Sequence, residues 1–145
     1  MPAIDVAAPF IRKFEGCQLQ AYADLTGRMT IGWGHTGPEV YEGLYWTQDQ
    51  ADAVQLSDFK DIWGQLQRIV SKPLTDKQGA ALLSLAFNVG ANALRGTGLI
   101  TWVNAGNWIQ ASHRFPDFDH DGKTEVKGLL IRRFKEAAFF LEGSP

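Results

Sequence analysis

At 145 residues the chain is the size of one domain, long enough to bury a core without a disulfide or a structural metal. Its 45% hydrophobic and 21% charged composition is that of an ordinary globular protein, and no apolar run is long enough to span a bilayer. A formal net charge of −2 argues against broad electrostatic binding to nucleic acid or an anionic membrane, so any basic patch is local, with Arg132, Arg133 and Lys135 as the densest group.

Residues 1–10 carry an acid, Asp5, and two prolines, Pro2 and Pro9, without the basic start and apolar stretch of a secretory signal; the expectation is synthesis and retention in a cytoplasm. Cys17 is the single cysteine, which allows no internal disulfide, fits a reducing compartment and reads as a small buried apolar residue. Phe10, Ile11 and Phe14 have helical spacing within residues 6–15. Pro9 suits the first turn of that helix and Gly16 its stop, which makes Glu15 its last side chain.

Residues 22–35 change character. Thr26-Gly27 is a turn signal and residues 29–33 read as a short strand, predicting a small β-hairpin or three-stranded sheet. Thr47 with Gln50 forms a capping box, followed by apolar residues at helical spacing from Ala51 to Val70: one long helix, or two broken near Phe59, ending before Pro73. A second box, Thr75 with Gln78, opens a helix to Gly90 apolar enough to be buried all round. Shorter helices are expected over 99–105 and 108–115, and an amphipathic helix over 129–141 closes the chain.

The expected fold is therefore α+β and mostly helical, a single domain over 1–145. A small N-terminal lobe with a β-hairpin (about 1–58) and a helical C-terminal lobe (about 59–145) are joined by the long helix, with a cleft between them.

Glu15, Asp24 and Thr30 supply the chemistry that glycoside hydrolysis requires: a carboxyl that keeps its proton for the leaving oxygen, and another that stays ionised to activate water or attack the sugar. A helix C-terminus and apolar neighbours such as Phe14 favour a protonated Glu15, whereas a polar turn favours an ionised Asp24. The Thr30 hydroxyl, able to donate and accept, suits holding a water. The residues suggest Glu15 as general acid, Asp24 as base and Thr30 as the group that positions the water.

The run from Glu15-Gly16 through Tyr22-Ala23-Asp24 and Gly27 to Thr30-Ile31-Gly32-Trp33-Gly34-His35 resembles the phage-T4-type lysozymes and endolysins, glycoside hydrolase family 24. The resemblance extends through Pro73-Leu74-Thr75 with Gln78, residues 84–90, Asn104-Ala105-Gly106 and Gly128-Leu129 with Arg132-Arg133. It implies a lysozyme-like fold and an endolysin-type muramidase that cleaves the β-1,4 bond between N-acetylmuramic acid and N-acetylglucosamine in peptidoglycan, lysing the host cell. It further implies a single displacement with inversion, catalysed by Glu15, Asp24 and Thr30, with no cofactor or metal. His35 matches a histidine that is usually structural. The resemblance places Asn88 near the cleft, and one of Arg132 and Arg133 beside the catalytic glutamate.

Two alternatives compete with that reading: a non-catalytic glycan-binding virion component, and a same-fold enzyme acting on chitin-like glycans. Peptidoglycan strands are the expected partner, with no nucleic acid, no stable membrane insertion, a monomeric state and dependence on a holin to leave the host cytoplasm for the periplasm and cell wall.

Other signals carry less. Residues 117–122 match the first half of a D-x-D-x-D-G calcium loop, but Gly128 stands where the bidentate glutamate belongs, so a polar surface turn is expected. Trp63 and Trp108 lie on apolar helix faces and are assigned to the core, whereas Trp33 and Trp46 flank the β segment and are expected to touch the cleft, Trp33 as a substrate-supporting residue. His113, His120 and Cys17 lack zinc-site spacing, and Ser84 lacks a nucleophile elbow.

Overall fold

The computed structural model describes residues 2–121, 124–125 and 127–145. Helix α1 (Pro2–Arg12) starts earlier than the sequence rhythm suggests and places Pro9 in its interior. Ala3, Ile4, Ala7, Ala8 and Ile11 form a buried stripe at helical spacing, while Pro9 faces solvent. Burial of that stripe offsets the roughly 3 kcal/mol that an interior proline costs a helix. The helix also ends earlier than expected. The amides of Phe14 and Glu15 both donate to the Ile11 carbonyl, at 2.9 and 3.0 Å, closing a turn that leaves Glu15 beyond the helix rather than as its last residue.

Three antiparallel strands follow in the order β1 (Gln18–Ala23), β2 (Met29–Gly32), β3 (His35–Thr36). The β1–β2 register shifts between Gln18 and Tyr22. Over that stretch β1 turns to its other side, where Ala21 N donates to Leu44 O at 2.9 Å and Trp46 N to Leu19 O at 2.8 Å. Cys17, expected to be buried, is only half-buried, with the Gln48 amide nitrogen 3.6 Å from its sulfur.

Helix α2 (Gln48–Ile69) is unbroken at Phe59, and α3 (Asp76–Val89) ends at Gly90; both carry the complete capping boxes expected at Thr47/Gln50 and Thr75/Gln78. Helices α4 (Gly98–Asn104) and α5 (Trp108–Ser112) are short, and residues 115–118 form a 3₁₀ turn where Pro116 interrupts the helical pattern. A two-stranded ribbon, β4 (His120–Asp121) with β5 (Thr124–Glu125), was not anticipated; two residues per strand leave no period to read. Helix α6 (Lys127–Glu142) completes the described elements.

The architecture is α+β and mostly helical, with a small sheet on one side of a helical assembly and the long α2 touching both. Helix α3 is the hub, packed against α1, α2 and α6. Every residue from Gln78 to Ala86 is buried, as expected of a helix surrounded by others. Gly79 lets these helices approach: a Cβ there would lie 2.7 Å from the Trp63 ring and 3.0 Å from the Ala3 methyl. Trp63 and Trp108 pack against this core, as assigned.

Because Leu83 is wholly enclosed, Leu83→Ala should destabilise the fold by about 3 kcal/mol. Urea denaturation read by far-UV circular dichroism would show this as a lower midpoint with an unchanged slope.

Candidate active site

The sheet presents a row of side chains to one cavity. Antiparallel pairing sets Tyr22 opposite Thr30, and Thr30 opposite Thr36, so all three lie on one face. Asp24, two residues after Tyr22, opens the β1–β2 turn, closed by Gly27 N to Asp24 O at 2.9 Å with Gly27 at φ +83°. Three donors converge on Asp24 Oδ1: Thr26 N at 2.8 Å, Thr26 Oγ at 2.7 Å and Arg28 N at 2.9 Å. The Thr26 hydroxyl and the Arg28 and Thr26 amides hold the Asp24 carboxyl below the usual aspartate range, so it is ionised at neutral pH. Thr30 is almost fully buried and donates its hydroxyl proton to the Arg28 carbonyl at 3.1 Å, which leaves its lone pairs as acceptors.

Glu15 faces this row from the end of α1. Its Oε1 accepts from Arg132 Nη1 at 2.6 Å, and a Cβ on Gly34 would lie 3.2 Å from its Oε2. Gly34 sits at φ +91° in the β2–β3 turn, so both conformation and close approach call for glycine. The Arg132 guanidinium lies over the Phe14 ring, 4.9 Å from its centroid, so Phe14 packs on the cation beside Glu15 as well as on Phe10.

Arg132 is held from behind. Its Nε donates to Glu136 Oε2 at 3.2 Å, and its Nη2 reaches the Ser84 carbonyl at 3.1 Å and hydroxyl at 3.3 Å. The Ser84 hydroxyl donates to the same Glu136 oxygen. Arg133, the other candidate for Glu15, points elsewhere: its Nη2 donates to Glu136 Oε2 at 3.2 Å and its Nη1 to the Phe118 carbonyl at 3.4 Å. Its Nε approaches Glu136 Oε1 at 2.7 Å without hydrogen-bond alignment. Burial holds the Glu136 carboxyl above the usual glutamate range against the opposing pull of Arg133 and Arg132. Glu136 gave no sequence signal, since an acid on a helix ordinarily faces solvent.

Glu15, Tyr22, Asp24, Arg28, Thr30 and Asn88 line one cavity of about 260 Å³, with Gly34, Thr36 and Phe87 completing its wall. It opens on one side into a space of about 510 Å³ bounded by Leu25 and Leu129, and on the other into one of about 190 Å³ bounded by Asp58 and Asp61. Each outer space shares lining residues with the central cavity, so the three adjoin as one groove. A more apolar cavity of about 380 Å³ beside Trp63, Leu66 and Leu74 holds no carboxylate. Burial, then Glu15 and Asp24 in that order, raise the Tyr22 phenol above the usual tyrosine range, so this hydroxyl stays protonated within the field of both acids. In the sequence Tyr22 stands within the family-like run without a role and Thr36 lies just beyond it; the strand register shows that both flank Thr30.

The remaining expected residues divide. Asn88, at the end of α3, is exposed within the groove. His35 clamps β3 to α2: its Nδ1 lies 2.7 Å from Asp58 Oδ2, its Nε2 meets Glu39 Oε1, and the ring packs on Trp46 at 5.6 Å. Trp33 turns away from the cavity, against expectation: its indole donates to Asp52 at 2.7 Å and Arg12 lies over its ring at 5.0 Å. Trp33 stands between Gly32 at φ +66° and Gly34 at φ +91°, and its indole meets Arg12 of α1 and Asp52 of α2. In the calcium-like segment Asp117 pairs with Arg114 at 3.3 Å, while Gly122 lies outside the described residues. Among the described residues no group of three or more His, Cys, Asp or Glu side chains could hold a metal ion, and no helix is long and apolar enough to cross a membrane.

Burial alone would lower the His35 pKa, but the Glu39 and Asp58 carboxylates outweigh it and raise the pKa above the ordinary 6.5. A raised folded value means that the stability contributed by His35 is fully present below about pH 6.5 and is lost as pH rises through the folded value. In denaturant titrations across that range His35→Asn should be less stable than wild type at pH 6, and the difference should shrink as pH rises. Gly34→Ala should cost about 1–3 kcal/mol of stability through backbone strain and lower turnover about tenfold or more by displacing Glu15. Thermal melts and glycan turnover, measured on the same preparation, would check both effects.

Comparison with known proteins agrees with this geometry. Residues 12–136 match the phage lysozyme family. The chain is 36% identical over 134 residues to the endolysin of Acyrthosiphon pisum secondary endosymbiont phage 1, covering 90% of this chain and 91% of that one. It is 34% identical over 137 residues to the endolysin of Bacillus phage PZA, covering 93% of this chain and 53% of the relative, so it spans about half the length of that protein. Among solved structures, the endolysin from Escherichia coli O157:H7 phage FAHEc1 superposes with a TM-score of 0.85 at 30% identity, covering 97% of this chain and 91% of that one. With the family's pattern running from the end of α1 into α6 and the fold matching at this level, the chain belongs to the phage lysozyme family.

Proposed function

We propose that this chain is an endolysin-type muramidase that hydrolyses the β-1,4 bond between N-acetylmuramic acid and N-acetylglucosamine in bacterial peptidoglycan. The observation that carries the proposal is that Glu15, Asp24 and Thr30, from three separate segments, line one cavity in a continuous groove. Glu15 is the general acid, delivering a proton to the leaving oxygen. Asp24, held ionised by three donors on one oxygen, is the base that draws a proton from the attacking water. Thr30, its own proton committed to the Arg28 carbonyl, accepts a hydrogen bond from that water and orients it. The family resemblance supports a single displacement with inversion, in which that water attacks the sugar directly.

Tyr22 adds a neutral donor beside both acids, and Asn88 an amide at the opposite wall. The whole of 1–145 acts as one catalytic domain, with the sheet on one side of the groove and α3 and α6 on the other, and with α1 packed into the helical side rather than into the sheet lobe. No cofactor or metal takes part. The enzyme works as a monomer, made in the host cytoplasm and reaching the wall once the membrane is opened by a holin.

Glu15→Gln preserves shape and removes the transferable proton. It should lower the rate of reducing-end release from purified peptidoglycan by about a thousandfold or more, with the melting temperature little changed. Mass analysis of the wild-type digest should find N-acetylmuramic acid at the new reducing ends. Anhydro ends, or a Glu15→Gln variant as fast as wild type, would overturn the assignment.

A further inference from the structure

Glu136 is fully buried and outside the groove, yet one guanidinium separates it from Glu15. We propose that Glu136 is a positioning residue for Glu15: its carboxylate fixes the Arg132 guanidinium in place and sets the net positive charge that this guanidinium presents to the acid. The inference rests on the muramidase reading above and deepens it.

The geometry is directional. A guanidinium offers five N–H donors in one plane. Arg132 turns one edge inward, with Nε on Glu136 Oε2 and Nη2 on the Ser84 carbonyl and hydroxyl, so that Nη1 projects onto Glu15 Oε1. Ser84 reinforces the arrangement by donating to the same Glu136 oxygen that Arg132 uses. The carboxylate thus fastens Arg132 from α6 and from α3 at once, and Arg132 cannot swing without breaking inner bonds.

The charge count gives the second part. Arginines stay protonated in proteins, and a carboxyl that meets two guanidiniums and a serine hydroxyl is taken as ionised, so Arg132 and Arg133 contribute two positive charges and Glu136 one negative. With Glu15 ionised the four groups are neutral; with Glu15 protonated, the form its role requires, one positive charge is in excess. Without the Glu136 charge, two uncompensated guanidiniums would favour the ionised form of Glu15. Tyr22, Asp24 and Arg28 share the cavity with Glu15 from the sheet, Lys135 lies over the neighbouring Phe14 ring from α6, and α3 contributes the neutral Ser84 and Asn88. None of these changes when residue 136 is substituted. Holding α6 to α3 does not by itself call for ions, because apolar residues of similar volume serve as well or better in a buried site.

The test is the pH dependence of kcat/KM for peptidoglycan hydrolysis by wild type, Glu136→Gln, Arg133→Met and the double variant, each confirmed folded by near-UV circular dichroism. Glu136→Gln should move the alkaline limb about one unit to lower pH and reduce kcat more than it changes KM. Arg133→Met removes a positive charge and should move the limb the other way, and the double variant, with the charge count restored, should return it toward wild type. If Glu136→Gln does not fold, the Arg133→Met shift alone decides. Limbs that stay at the wild-type pH in folded variants would overturn the inference while leaving the muramidase reading intact. A wild-type protein that releases no reducing ends would overturn that reading first.

Discussion

The ion pair between Glu15 and Arg132 joins residues 117 positions apart and brings the end of the first helix against the last one. On one side of this pair Gly34 and the sheet close on the carboxylate; on the other, Ser84 and Glu136 anchor the guanidinium to the buried α3. The β2–β3 turn, α3 and α6 all meet at that contact. An arginine suits the position because a planar fork can meet two carboxylates and a carbonyl at once, which a lysine ammonium on a flexible stem does not do with the same rigidity.

The two cleft carboxyls are held by different means. Asp24 is governed locally: a five-residue turn folds its own amides and a threonine hydroxyl onto one oxygen, and these bonds need no distant part of the chain. Glu15 is governed globally, by α6, the β2–β3 turn and the side chains packed around Phe14. The separation suits a pair of carboxyls with opposite tasks, because an environment shared equally would drive both toward the same protonation state. His35 belongs to the frame. Bridging Glu39 and Asp58, it fixes β3 against α2 and thereby the Gly34 backbone that abuts Glu15.

Much of this was legible in the sequence wherever the determinant was local. The capping boxes at Thr47/Gln50 and Thr75/Gln78 start α2 and α3 where a hydroxyl and an amide three residues apart can satisfy helix-end donors, and Gly90 ends α3 where a left-handed backbone is needed. The Thr26-Gly27 turn and the apolar run inside α3 followed from the same short-range chemistry. The grouping of Glu15, Asp24 and Thr30 was legible through a family resemblance rather than through spacing, since three residues at fixed offsets carry little by themselves.

Tertiary structure decided what depends on two remote segments meeting. It extended α1 through Pro9, because a buried stripe against α3 outweighs one lost backbone bond. It chose Arg132 over Arg133 for Glu15: adjacent helical residues point about 100° apart, and only the docking angle of α6 determines which faces the groove. It turned Trp33 onto Asp52 and away from the cavity, brought Tyr22 and Thr36 beside Thr30 through strand register, and buried Glu136 between two arginines. The sequence by itself determined where the capped helices α2 and α3 begin and where the chain turns at Thr26-Gly27, because caps and turns act over a few residues. Which side chains meet was decided by packing, because a contact between distant residues exists only once both of their elements have docked.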